Sequence, residues 1–542
     1  MKKYLLLLIL ISFFSCETKE TADLLVKNAS VYTVNENFDT ATAFVVKDGK
    51  IVEVGNTSDL EEKYSYSEIL DVKGKTVVPG LIDAHAHLYG LGKSLQIVDL
   101  VGTKSFDEVI ERIVAFQKEK NVAFIQGRGW DQNDWELKEY PTKDRLDELF
   151  PTTPVAIRRI DGHAMLANTI ALKMAGITAE TKVSGGEVIL KDGELTGVLI
   201  DNVMGLIGAI TPDLTLKEKI RALKEAERIC LDLGLTTVSD AGLPRETIEL
   251  IDSLQQTGEL SLRVYAMISN YKENLDYYLT KGKIKTERLN VRSVKVYADG
   301  ALGSRGATMK EPYSDREGHF GAMITPMDEL ESLASRIFDA GYQMNTHAIG
   351  DSAVASVLRA YKTKRIEKTD ARWRVEHAQI VTPSEFKLFS KNIIPSVQPT
   401  HATSDMYWAE DRVGAERIKG AYAYKSILKE SGMIALGTDF PIEKVNPMFT
   451  YYAAVARKDL DNYPEGGFNM KDALTRKEAL KGMTIWAAYA NFEEDEKGSI
   501  EVGKYADFVI LNSDIMTIPA RALPKVKVEA TYINGVKVSI DK

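Results

Sequence analysis

His85 and His87 flank a single alanine at the end of the apolar run Thr-Val-Val-Pro-Gly-Leu-Ile-Asp at 76–83. On a β-strand, side chains two residues apart leave the same face, so both imidazoles can bind one cation. Only seven histidines occur in 542 residues, and the other five become candidates to complete the site. His347 and His377 end the segments Tyr-Gln-Met-Asn-Thr-His (342–347) and Arg-Val-Glu-His (374–377), and Asp439 ends Ile-Ala-Leu-Gly-Thr-Asp (434–439). Imidazole and carboxylate are the usual ligands of catalytic zinc, where one position stays open for water. A lone His-X-His is weak evidence, and His347 or His377 taken singly reads as a hydrogen-bonded core histidine. Four histidines and one aspartate, each ending an apolar strand, read as a divalent-metal centre holding one or two ions, zinc before other metals.

Lys295 shares one strand face with Ser293, Tyr297 and Asp299, while Val294 and Val296 point the other way. An ammonium group facing bound cations inside a barrel is desolvated and repelled. Either it pairs with Asp299, or it takes up carbon dioxide and becomes a carbamate that bridges two metals. A divalent cation activates water to hydroxide near neutral pH and polarises a carbonyl. Asp439 is the candidate general acid–base that moves the proton to the leaving amine.

Other polar groups form a second tier. His163, in Asp161-Gly162-His163, and His401, on the loop after the seventh strand, are candidates to reach the substrate, the latter at its carbonyl oxygen. Arg305 reads either as a clamp on a substrate carboxylate or as one half of a structural ion pair. Asp299, Gln398 and Trp130 complete the substrate-binding candidates; Trp130, Trp135, Tyr313, Tyr407 and Trp408 form a pocket rim if they do not simply pack. His319 reads as a loop residue.

The elements that must position these groups are countable. After the His85 strand come 235–240, 262–268, 293–299, 342–347, 374–377, 394–398 and 434–439, separated by helical stretches such as 216–233, opened by a Thr215/Glu218 capping box, and 327–340. Eight strands alternating with helices predict an α/β fold, a (β/α)8 TIM barrel over 79–495 with its active site at the strands' C-terminal ends. Residues 90–210 do not fit that count and read as an insertion after the first barrel strand. Residues 17–78 and 496–542 are hairpin-rich, with an Asp-Gly turn at 48–49, and are expected to pair into one small β-sandwich.

A net charge of −9 and the lack of a long basic cluster argue against a nucleic-acid partner. Lys2 and Lys3, the apolar stretch 5–14 and Ser15-Cys16 have the layout of a secretory signal, too short for a mature membrane span. A small residue before Cys16 resembles a bacterial lipoprotein box, although Phe13 and Phe14 depart from it. The expectation is an exported chain, lipid-anchored to the membrane through Cys16 and facing periplasm or cell surface; an ordinary signal peptide is the plainer reading. Cys230, the one other cysteine, reads as a buried thiol.

Several motifs together carry a family resemblance: Pro-Gly-Leu-Ile-Asp-Ala-His-Ala-His (79–87), Asp-Gly-His (161–163), Val-Lys-Val-Tyr-Ala-Asp-Gly-Ala-Leu-Gly-Ser-Arg (294–305), Asn-Thr-His-Ala-Ile-Gly-Asp (345–351), Val-Glu-His-Ala-Gln (375–379) and Gly-Thr-Asp-Phe-Pro (437–441). The chain resembles the amidohydrolase superfamily, in the branch of N-substituted formamide deformylases and YtcJ-like proteins. The resemblance implies that His85, His87 and Asp439 bind one metal, His347 and His377 a second, and carboxylated Lys295 bridges them. It implies hydrolysis of a carbon–nitrogen bond in a small, amide-type, non-peptide substrate. Ester, lactone or carbamate hydrolysis on the same site is the alternative, and a non-catalytic solute-binding lipoprotein is the rival from another class. Substrate and oligomeric state stay open, a dimer included.

Overall fold

The computed structural model describes residues 19–538 apart from 161, 163, 184 and 185. The lipidation candidate Cys16 and the substrate candidate His163 lie outside the described residues.

Eight parallel strands form the centre: β1 (Leu81–Ala86), β2 (Leu235–Leu243), β3 (Arg263–Ser269), β4 (Leu289–Tyr297), β5 (Gln343–Ala348), β6 (Trp373–His377), β7 (Ile393–Val397) and β8 (Ala435–Leu436). Each pairs with the next in order. The two-residue β8 closes the ring onto β1 just past its own end: Asp439 N donates to His85 O at 2.8 Å, and His87 N to Phe440 O at 2.8 Å. Both faces of these strands are covered, which is why they are dense in Val, Ile, Leu and Ala.

The helix Leu216–Asp232 starts at the expected capping box, with the Thr215 side chain accepting from Glu218 N while the Glu218 carboxylate takes Thr215 N. Its buried Leu223, Ala226 and Cys230 pack into the barrel's core, and Ala222 meets Gly92 of the helix Leu88–Ser94. Met327–Asp339 is likewise helical. Among the described residues no helix is long and apolar enough to cross a membrane.

The apolar run at 76–83 is not one strand. Thr76–Pro79 pairs antiparallel with Phe508–Leu511 in a six-stranded sheet that mixes both chain ends, and the barrel begins at Leu81. Gly80 makes the crossing: a Cβ there would lie 2.2 Å from Thr236 Oγ1, so only glycine passes. A second, four-stranded sheet from residues 20–71 completes the end domain, its hairpin turning at Asp48 and Gly49, both with positive φ. A cluster including Phe44, Val77, Phe508 and Tyr532 fills the space between the sheets.

Between β1 and β2 the chain builds a separate six-stranded sheet from strands between Val98 and Asp201. The helix Phe106–Lys120, capped by Ser105, covers one face through Val109, Ile110 and Ile113. Trp130 belongs to this core. It is fully buried, and its Nε1 donates to Ile157 O at 2.9 Å. Its assignment to a substrate rim is therefore corrected: the indole packs the insertion, and Trp135 packs beside it.

Candidate metal centre

The C-terminal ends of the barrel strands bring His85, His87, Lys295, His347, His377, His401 and Asp439 around one cavity of about 420 Å³. His85 ends β1 and His87 opens the following helix, Leu88–Ser94. Asp83 fixes this corner, accepting from His85 N at 3.1 Å and from Thr438 Oγ1 at 2.7 Å. Gly437 permits the approach, since a Cβ would meet His85 N at 2.5 Å.

Two residues of the set depart from strand geometry. Period-two alternation would place His377 opposite Glu376, outside the barrel. Instead His377 adopts φ 70° and Ala378 φ 41°, while Asp439 adopts φ 63°. Left-handed backbone at non-glycine residues costs about 1–3 kcal/mol each, and such strain gathers at functional sites. Here it accompanies the entry of both side chains into the shared cavity wall.

Three of the imidazoles are oriented by what holds their other nitrogen. His85 Nδ1 lies 2.5 Å from Glu376 Oε2, His87 Nδ1 3.0 Å from Ala241 O, and His377 Nδ1 2.7 Å from Gln398 Oε1. Acceptors at Nδ1 fix the proton there and leave Nε2 as a lone-pair donor, the arrangement that surrounds metal-binding histidines. His85 Nε2 then faces Lys295 Nζ at 3.1 Å and Asp439 Oδ1 at 3.6 Å; His87 Nε2 lies 3.1 Å from the same oxygen. The donor atoms of His85, His87 and Asp439 all lie within 4.8 Å of one another, and so do those of His377, His401 and Asp439. His347 belongs to neither triad, although its ring stands 4.5 Å from that of His377.

The electrostatics suit a cation. Burial, with Lys295 nearby, brings His85 down to about 4 and His347 to about 3, so both are neutral donors at physiological pH. Burial pushes the Asp439 carboxyl up, but His87, His85, His377 and His401 outweigh it and hold it well below the usual range. Burial likewise opposes charge on Glu376, yet Arg374 and His85 bring it to about 2. Lys295 falls to about 8 through burial. His347 Nε2, His401 Nε2 and Asp439 Oδ1 are buried without a well-aligned hydrogen-bond partner. Leaving such atoms unpaired costs about 1–3 kcal/mol each. A divalent cation fits these donors.

The amidohydrolase family's profile matches residues 68–539. The chain belongs to the amidohydrolase family. Among its relatives, LONG AFTER FAR-RED 3 of Arabidopsis thaliana is 32% identical over 534 residues, 95% of this chain and 91% of the plant protein. Putative amidohydrolase YtcJ of Bacillus subtilis is 32% identical over 521 residues, 93% of this chain and 97% of its own. N-substituted formamide deformylase of Arthrobacter pascens is 28% identical over 537 residues, 95% of this chain and 98% of its own. The crystal structure of an uncharacterized metal-dependent hydrolase from Pyrococcus horikoshii superposes with a TM-score of 0.77 at 30% identity, covering 92% of this chain and 99% of that one. This amidohydrolase is a metal-dependent hydrolase of carbon–nitrogen bonds other than peptide bonds.

The structure decides or corrects several sequence assignments in this amidohydrolase. Lys295 does not pair with Asp299. The Asp299 carboxylate is buried and accepts from Thr308 N at 2.8 Å, Ile349 N at 3.0 Å and Gly350 N at 2.9 Å, so it braces two loops rather than binding substrate. Arg305 is engaged by Asp315, with Nε at 3.0 Å, and Arg412 binds the same carboxylate, which makes it a structural pair and not a substrate clamp. Gln398 acts on His377. His401 sits on the helix Pro399–Asp405 rather than on a loop. Of the aromatic rim, Trp408 lines the cavity, whereas Tyr313 is buried with its hydroxyl on Ala307 O. His319 bonds Arg305 O, a loop role.

Sequence reading overlooked Glu376 and Arg374, which share the interior face of β6 and lie 2.7 Å apart. Two opposite charges spaced at i and i+2 in an otherwise apolar buried strand were the available signal.

Proposed function

We propose that this chain hydrolyses an amide through a two-cation centre. His85, His87 and Asp439 would hold one ion, and His347, His377 and a carboxylated Lys295 would complete the second; zinc is the ion their chemistry favours. The observation that carries this reading is the convergence of unpaired imidazole and carboxylate atoms around one buried lysine. Bound there, divalent cations supply Lewis acidity toward the scissile carbonyl and lower the pKa of water. Asp439 takes the proton from the attacking water and returns it to the leaving nitrogen, so the amine departs neutral. His401, whose Nε2 is 3.6 Å from Asp439 Oδ2, donates to the carbonyl oxygen as negative charge develops.

Lys295 supports the carbamate by its depressed basicity. The ammonium loses one proton, Nζ forms a bond to the carbon of carbon dioxide, and a second proton leaves. A buried cation becomes an anion, which suits the centre better. On export residues 1–15 would be removed and Cys16 would become the lipidated N-terminus, leaving the enzyme tethered outside the cytoplasm.

Elemental analysis of a soluble chain beginning after Cys16, combined with turnover of an amide panel, tests the centre. Two equivalents of zinc, and a loss of at least 100-fold in kcat in Asp439→Asn with the fold intact, are expected. One equivalent would remove the bridge, and full turnover in the variant would remove Asp439's role. For the anchor, Cys16→Ser should release the protein from the membrane fraction.

A further inference from the structure

A second cleft, of about 650 Å³, separates the barrel rim from the insertion sheet. One wall is the open face of that sheet, where Arg128 and Arg158 stand side by side in register on adjacent parallel strands. Gln126 and Ala156, paired two residues earlier, line the same cleft and fix the face. The other wall carries Lys93, on the helix that begins immediately after His87, and Lys219, in the first turn of Leu216–Asp232. Tyr89 and Lys93 of the helix after His87 line the cleft, so one chain turn links its wall to His87, although the cleft and the metal cavity share no lining residue.

Like charges abreast on a sheet repel, and a cation in the first turn of a helix opposes its dipole. Among the described residues, none of these four cations has a carboxylate within ion-pair distance. Asp213 and Glu246 share the cleft without pairing to them, which leaves an excess of two positive charges in a chain whose net charge is −9. Unpaired guanidinium forks side by side match the oxygens of a carboxylate or phosphoryl group.

We infer that this cleft is the subsite for an anionic group of the substrate, so that the amides cleaved carry a carboxylate or phosphoryl group remote from the scissile bond. The inference rests on the amide-hydrolase reading for its link to turnover, but the cleft's affinity for anions is measurable without turnover.

Calorimetric titration of the full metal-loaded chain with glutarate, with inorganic phosphate and with the neutral isostere glutaramide tests it. Glutarate or phosphate should bind, and Arg128→Gln/Arg158→Gln should weaken that binding at least ten-fold while leaving the metal content unchanged. Dependence of glutarate binding on the arginines identifies a carboxylate; dependence of phosphate alone identifies a phosphoryl group. Lys219→Gln, in the half-buried first turn of its helix, gives a smaller loss and serves if the double variant does not fold. Equal affinities in wild type and variants, or glutaramide binding as tightly as glutarate, would overturn the assignment. An Arg-dependent anion site in a chain that hydrolyses no amide would defeat the amide reading and leave the site standing.

Discussion

His85 Nδ1 and Glu376 Oε2 lie 2.5 Å apart although 291 positions separate the residues in the chain. Arg374 neutralises the same carboxylate, with Nε 2.7 Å from Oε1, and anchors itself on Ser396 Oγ at 2.7 Å. The three buried groups transmit the rigidity of β6 and β7 to an imidazole on β1. Glu376→Gln keeps the shape and removes the charge. Its metal affinity should fall by about 10–100-fold, as for other groups that orient metal ligands. Competition titration against a chromogenic chelator measures this, and an unchanged dissociation constant would show that β1 alone positions His85.

The titration of Lys295 gives metal binding a pH signature. Its amine sits at about 8 in the metal-free protein, while His85 at about 4 and His347 at about 3 are already neutral above pH 5. Affinity through a bare amine rises with pH below about 8 and levels above it, whereas carbamate formation still releases one proton there and keeps a slope near one. Relative to Lys295→Met, a carbamate ligand at fixed dissolved carbon dioxide adds about two released protons, and so about two to the slope of log K per pH unit between 5 and 8, a bare amine ligand about one, and a bystander none. Below about pH 4 His85 and His347 add their own loss. Lys295→Met should flatten the middle of the profile.

His401→Asn separates two roles that the geometry makes adjacent. As a donor to the carbonyl oxygen, His401 contributes to kcat without holding a cation, so the variant should retain its metal and lose about 10²–10³ in kcat. Loss of one metal equivalent in the purified variant would instead make the His377, His401 and Asp439 triad a ligand set.

Trp130→Ala should leave KM for any substrate within two-fold of wild type and destabilise the insertion. The indole is fully buried among Trp135, Ile125 and Ile157. Truncating a buried tryptophan costs about 3–5 kcal/mol. Thermal unfolding, with limited proteolysis of the 98–201 region, would register the loss; a raised KM in a stable variant would return Trp130 to the substrate.

What the chain could announce locally, it did. Side-chain alternation and helical periodicity are local, so the eight strands, the capping box at Thr215 and the ligand types at the strand ends were legible before any coordinates. The division of the apolar run at Gly80 was not, because Val77 and Ile82 look alike and differ only in whether Phe508–Leu511 or Leu235–Leu243 lies beside them. The partners of Arg305, Asp299 and Trp130 were hidden for the same reason: a charged or aromatic side chain reads identically whether it faces a substrate or a neighbour folded against it. Residue type and spacing determined the donor set and the strands that carry it. Chain crossing decided which nitrogen His85, His87 and His377 present, through Glu376, Ala241 and Gln398, and which cations were left unpaired in the cleft beside the insertion sheet.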